Sequence, residues 1–236
     1  MSAESKVLVA SAIPMVAAMG GAWWATRSAP SRTTRSAIQH FAAGLVFAVA
    51  ATELIPDLKA EHRAGAVIVG FALGIAAMLG LETIGKRAEA AGGGSLIALA
   101  VVGIDVFVDG ILIGIGFAEG GSAGPLLAVA LTVELLGLGV ALALSLMESG
   151  RTGLRVVGTV GATSSLIVVG GLLGSTLLSN LSPAPLSAVL GFATVALLYL
   201  VTEELLSEAH ETPDTPVLTT MFFVGFLAIL LLSFTA

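Results

Sequence analysis

Cysteine is absent from this chain, which removes disulfide frameworks and thiolate metal sites at once. Charge is scarce too: 11% of the residues are Asp, Glu, Lys or Arg, against roughly 25% in a soluble globular domain. The 10 basic residues form no run, and the net charge is −6. Nothing in that balance suits nucleic acid. No nucleotide-binding motif is present either, so ATP is not expected as a direct driver. What fills the 236 residues instead is apolar, at 56%. An integral membrane protein is expected.

A helix crosses a hydrocarbon core of roughly 30 Å with about 20 apolar residues. Eight such spans are read: Val7–Ala25, Ile38–Ile55, Ala64–Leu81, Ser95–Phe117, Pro125–Met147, Val156–Leu178, Leu186–Leu206 and Val217–Ala236. Trp23 and Trp24 close the first, which is read as a span and not as a cleaved leader. Pro56-Asp57 is expected to end the second, and a loop from Glu82 to Gly94, with Gly92-Gly93-Gly94, to follow the third. The fold class expected is an all-α membrane bundle forming a single transporter domain over residues 1–236.

Arg27, Arg32, Arg35, Lys86, Arg87, Arg151 and Arg155 fall on one side of such a bundle, and Lys6, Lys59 and Arg63 on the other. Basic residues favour the cytoplasm, so both termini are expected outside the cell, in the plasma membrane.

Against this apolar background a few acids stand out. Asp105 and Asp109 lie four residues apart in the fourth span, on one helical face. Each costs about 3 kcal/mol near a bilayer centre on insertion scales, so something must offset them. Glu134 occupies the next, antiparallel span, at a depth that brings it level with Asp109. Three carboxylates make an oxygen cage for a divalent cation; the plainer reading is protonated or hydroxyl-bonded acids.

Glu53 and Glu204 sit near span ends, within the similar stretches Thr52-Glu-Leu-Ile-Pro-Asp57 and Glu203-Glu-Leu-Leu-Ser-Glu208. That similarity hints at an inverted repeat, the usual plan of secondary transporters. The two glutamates are candidate approach stations on opposite sides. Gly70 with Gly74, Gly110 with Gly114, and Gly170 with Gly174 have the spacing of close helix packing. His40, His62 and His210, each at a helix end or in a loop, read first as structural. Thr132, Ser164 and Ser165 offer neutral oxygens but more often bond to their own helix.

These residues resemble the ZIP (Zrt/Irt-like) divalent-metal transporters, prokaryotic type, over essentially the whole chain. Phe41-Ala-Ala-Gly-Leu-Val-Phe through Glu53-Leu-Ile-Pro-Asp57 is similar to the family's second span. Asp105-Val-Phe-Val-Asp109-Gly110 resembles its fourth-span His-Asn-x-x-Asp/Glu-Gly signature, and Leu198-Tyr-Leu-Val-Thr-Glu-Glu-Leu-Leu-Ser-Glu208 its seventh. The resemblance implies eight helices, a metal site between the fourth and fifth, and an inverted repeat of helices 1–3 and 6–8.

Asp109 and Glu134 match the family pattern directly. Asp105 stands where histidine is usual, Val106 where asparagine is usual, and Val133 and Gly137 replace two further ligands of the fifth span. The family's histidine-rich loop is missing. A site without imidazole suits manganese and magnesium, while zinc also accepts carboxylate oxygen.

The expected function is secondary transport of a divalent metal, of the zinc, iron or manganese class, towards the cytoplasm. Asp105, Asp109, Glu134, Glu53 and Glu204 are the expected metal ligands. The metal is cargo, with no cofactor and no enzymatic activity expected. The partners expected are that ion and the lipid bilayer, with a homodimer left open. A degenerate member that binds a cation or carries another solute is the alternative. A membrane-embedded metalloprotease, prompted by Glu203-Glu204 near His210, is disfavoured because histidines are lacking inside the spans.

Overall fold

The computed structural model describes residues 2–60, 63–90, 95–119, 122–178 and 181–235. His62 and Gly92–Gly94 lie outside them. Among the described residues the chain is all helix, turn and connection, without strands. Eight helices among the described residues are long and apolar enough to cross a membrane.

They are α1 (Ala3–Arg27), α2 (Arg32–Val49, running on through Ala50–Leu54 and Ile55–Ala60), α3 (Ala64–Ala90) and α4 (Ser95–Glu119). There follow α5 (Ala123–Glu148), α6 (Leu154–Ser164 and Leu166–Leu178), α7 (Pro183–Tyr199, then Leu200–Leu205 and Leu206–Ala209) and α8 (Pro216–Ser233). Side-chain caps start three of them. Ser2, Ser31 and Thr215 accept hydrogen bonds from the amides of Ser5, Thr34 and Leu218, satisfying donors that a helix start leaves open.

Several boundaries differ from those read off the sequence. α2 does not stop at Pro56-Asp57 but continues to Ala60, because Ala50–Leu54 is a π-helical turn in which the Ile55 amide bonds back to Ala50 O. A proline ring normally collides with the carbonyl four residues before it, here that of Thr52. The widened turn lets the helix pass that point. The segment after the third span is helical to Ala90 rather than a loop from Glu82. Tyr199 Oη donates to Glu82 Oε2 at 2.7 Å and Lys86 pairs with Glu82 one turn on, so Glu82 and Lys86 both have partners there. α6 is interrupted at Ser165, whose hydroxyl donates to Ala162 O at 2.7 Å.

The helices pack in close pairs, α1 with α5, α4 with α6, α2 with α8 and α3 with α7. Glycine sets each of these contacts. A Cβ at Gly21 would lie 2.3 Å from Leu136 O, at Gly110 2.2 Å from Ile167 O, at Gly44 2.0 Å from Phe222 O and at Gly70 1.9 Å from Ala188 O. Lipid offers helices no hydrophobic drive to associate, so backbone approach of this kind supplies the packing.

Two groups result: α1, α4, α5 and α6 on one side, α2, α3, α7 and α8 on the other. Where they meet, chiefly at α2 against α5, the contacts are looser. A Cβ on Gly137 would reach Ile38 Cγ2 only at 3.5 Å, an ordinary van der Waals distance.

Candidate metal centre

The glycine face of α4 fixes where its acids go. Gly110 and Gly114 abut the α6 backbone, and each residue turns the helix by 100°, so Asp109 is rotated away from α6 towards the interior. Asp109 is buried and Asp105, one turn earlier, is partly so. Gly139 does the same for α5, seating that helix on Ala18 of α1 while Glu134 is buried among Leu131 and Leu135. Among the described residues, Asp109 Oδ2 and Glu134 Oε2 are both buried with no hydrogen-bond partner.

α7 supplies a fourth carboxylate through a second π-helical turn, Leu200–Leu205, in which the Leu206 amide reaches back to Val201 O. Glu203 of this turn is exposed and Glu204 partly buried. The two stretches that match in sequence, around Glu53 and around Glu204, therefore share this uncommon local geometry in the same register. π turns of this kind occur often at functional sites.

The acids form one electrostatic group. Asp109 feels Asp105 and Glu204, and Glu134 feels Asp109, Asp105, Glu204 and Glu208. Every group named there carries the same sign. Glu53 stands apart: Ser122, at the start of α5, donates to Glu53 Oε2 at 2.6 Å, and Asp57 is its charged neighbour. Glu134 lies twelve residues further along α5, about 18 Å at the helical rise. Asp105, Asp109, Glu134 and Glu204 thus share one electrostatic neighbourhood, although among the described residues no three of them bring ligand atoms within 4.8 Å of one another, and Glu53 stands at the other end.

Two adjoining cavities lead to the group. The inner one is lined by Glu134, Glu204, Gln39 and Glu208, and the outer by Gln39, Glu208, Arg35 and Glu211. They measure about 30 and about 50 Å³, where one water needs ~10–15 Å³. A short file of waters fits.

Sequence reasoning missed Glu208 and Gln39, which are hydrogen-bonded to each other across this path. Glu208 had a signal, since it follows Glu204 by one helical turn. Of the hydroxyls, Thr132 donates to Ala128 O at 2.6 Å and Ser165 to Ala162 O, so both bond within their own helices. His40 and His210 meet beside Ser36 and Asp214, outside the lining of both cavities. Compared with models of known families and with curated proteins, the sequence matches none.

Proposed function

We infer that this chain is a secondary transporter, a relative of the ZIP family, that carries a divalent metal cation of the zinc, iron or manganese class. The observation that carries this reading is the pair of buried carboxylate oxygens, Asp109 Oδ2 and Glu134 Oε2, without hydrogen-bond partners. Buried polar atoms are almost always bonded, and those that are not call for an explanation such as an ion. Asp105 and Glu204 add further oxygens of the same sign, a donor set that hard or borderline divalent cations accept.

The helix groups supply a means of movement. Asp105, Asp109 and Glu134 belong to α4 and α5, whereas Glu204 belongs to α7 in the other group. Glycine-tight contacts lie within the groups, and side-chain contacts that can slide lie between them. Alternating access follows if one group shifts against the other about the carboxylates. In the conformation seen, the cavities beside Arg35 and Glu211 open one end, while the Ser122–Glu53 hydrogen bond ties α2 to the start of α5 at the other. The distribution of the basic residues supports a cytoplasmic open end with both termini outside.

Uptake into proteoliposomes, measured in parallel for zinc, iron and manganese, tests the reading. Entry of at least one ion, lost in Asp109→Ala, is the expected result. Absence of all three, or uptake unchanged by that substitution, overturns it.

A further inference from the structure

His40 is far in sequence from His210 and Asp214, yet each of the three places a ligand atom within 4.8 Å of the others. His40 lies in the third turn of α2, His210 follows α7, and Asp214 sits in the connection to α8. None of the three lines the cavities that lead to the carboxylates.

The hydrogen bonds decide what the rings can offer. His40 Nδ1 approaches Ser36 O at 2.9 Å, and His210 Nδ1 contacts Leu206 O. A carbonyl only accepts, so both Nδ1 atoms carry the proton, and in a neutral ring Nε2 then holds a lone pair. Ser36 keeps the arrangement in place: its hydroxyl donates to Ala209 O at 2.9 Å and fastens the end of α7 to α2. Backbone carbonyls holding Nδ1–H are the usual support of a metal-ligating imidazole.

Both Nε2 atoms face Asp214. His40 Nε2 lies 3.9 Å from Oδ1 and His210 Nε2 lies 3.4 Å from Oδ2. Charge-assisted N–H···O bonds are ~2.7–2.9 Å long, so these gaps are too wide for direct bonding. They lie nearer a different spacing, His210 more closely than His40. Ligands ~2.0–2.1 Å from a tetrahedral metal stand about 3.3 Å apart along each edge. The two rings each face one oxygen of the same carboxylate, and the three residues keep a ligand atom within 4.8 Å of one another, close enough for a small inward shift of the exposed His210 and Asp214 to close them on a cation. His40 is buried, whereas His210 and Asp214 are exposed, so a fourth position is open to water.

We propose that His40 Nε2, His210 Nε2 and the Asp214 carboxylate form a resident binding site for a divalent transition-metal ion, separate from the buried carboxylates. Two imidazoles and a carboxylate favour zinc, copper, nickel or iron over magnesium and calcium. Bound there, the ion clamps the C-terminal end of α7 and the α7–α8 connection onto α2. The site stands independently of the transport reading.

Nitrogen coordination separates the two sites, because the Asp105, Asp109, Glu134 and Glu204 group contains no imidazole. Full-length protein in lipid nanodiscs is titrated with copper(II) and followed by pulsed electron paramagnetic resonance, with zinc(II) as competitor. The expected result is one tightly held copper with two coordinated imidazoles, displaced by zinc and unchanged in Asp109→Asn/Glu134→Gln. His210→Ala leaves a single imidazole. Asp214→Asn keeps both and weakens zinc binding by at least ~10-fold, the lower end of what loss of even an outer partner costs. His210 and Asp214 are exposed, so these variants carry the test even if His40→Ala fails to fold. Absence of imidazole coupling, coupling unchanged in His210→Ala, or its abolition by His62→Ala overturns the proposal.

Discussion

Asp109 on α4 and Glu134 on α5 each keep one carboxylate oxygen buried with no hydrogen-bond partner among the described residues. An unmade hydrogen bond of this kind costs about 1–3 kcal/mol, more when the group is charged. The protein holds this cost in a bundle whose other buried side chains are overwhelmingly apolar.

A cation bound between these acids removes that cost, so binding should stabilise the fold. Thermal unfolding in nanodiscs is expected to shift upward on adding zinc or manganese and to return on chelation. Asp109→Asn and Glu134→Gln keep shape and remove charge. In a His210→Ala background, which removes the second site proposed above, each should weaken metal binding by more than ~10-fold and abolish the metal-dependent shift, while leaving the metal-free protein folded. A full shift in Asp109→Asn/Glu134→Gln on that background would move the transport site elsewhere.

The glycine contacts separate packing from passage. Gly110→Ala drives a Cβ to 2.2 Å from Ile167 O and 2.9 Å from Gly171 N, both backbone atoms. Overpacking of that kind costs ~1–3 kcal/mol. Gly137→Ala meets only Ile38 Cγ2 at 3.5 Å, and alanine gains up to ~1 kcal/mol in helix propensity over glycine. Gly110→Ala should therefore lower the unfolding temperature, and Gly137→Ala hold or raise it. Gly137 lines both cavities, so its methyl group should nonetheless slow metal uptake. Equal stabilities for the two variants would show that the α4–α6 contact is not the one that holds the bundle.

Because the chain has no cysteine, single thiols report accessibility without further engineering. Ala141 lines the outer cavity and Val224 is exposed on α8 among apolar neighbours. A water-soluble maleimide is expected to label Ala141→Cys and to spare Val224→Cys, which faces lipid. In sealed vesicles of known orientation the Ala141→Cys label should arrive from the cytoplasmic side. Labelling from outside would reverse the proposed topology.

The spans were legible because bilayer thickness imposes a length on any apolar helix, and Asp105 and Asp109 were legible because a four-residue spacing puts two side chains on one face. The π-helical turns were not. An i−5 hydrogen bond such as Ile55 N to Ala50 O widens one turn without altering the hydrophobic pattern. The extension of α3 past Glu82 depends on Tyr199, 117 positions away, and a helix continued by a distant partner leaves no local signal. His40 and His210 each look like an ordinary helix-end histidine until the Ser36–Ala209 hydrogen bond brings α2 and α7 together.

The second π turn makes a sharper demand on two neighbouring residues. Glu203 and Glu204 are chemically identical and adjacent, yet only Glu204 lies close enough to Asp105, Asp109 and Glu134 to act on them, and only Glu204 lines the inner cavity. Glu203 is exposed on the other side of the turn. If the carboxylates bind the cargo, Glu204→Gln removes one negative charge from its path, and metal affinity and uptake should fall by roughly 10-fold or more. Glu203→Gln should leave both within about twofold of the parent, as surface substitutions usually change little. The paired measurement controls for general damage, since both variants alter the same turn by the same atom. Equal losses would assign the effect to the π turn itself, and a loss confined to Glu203→Gln would remove Glu204 from the site.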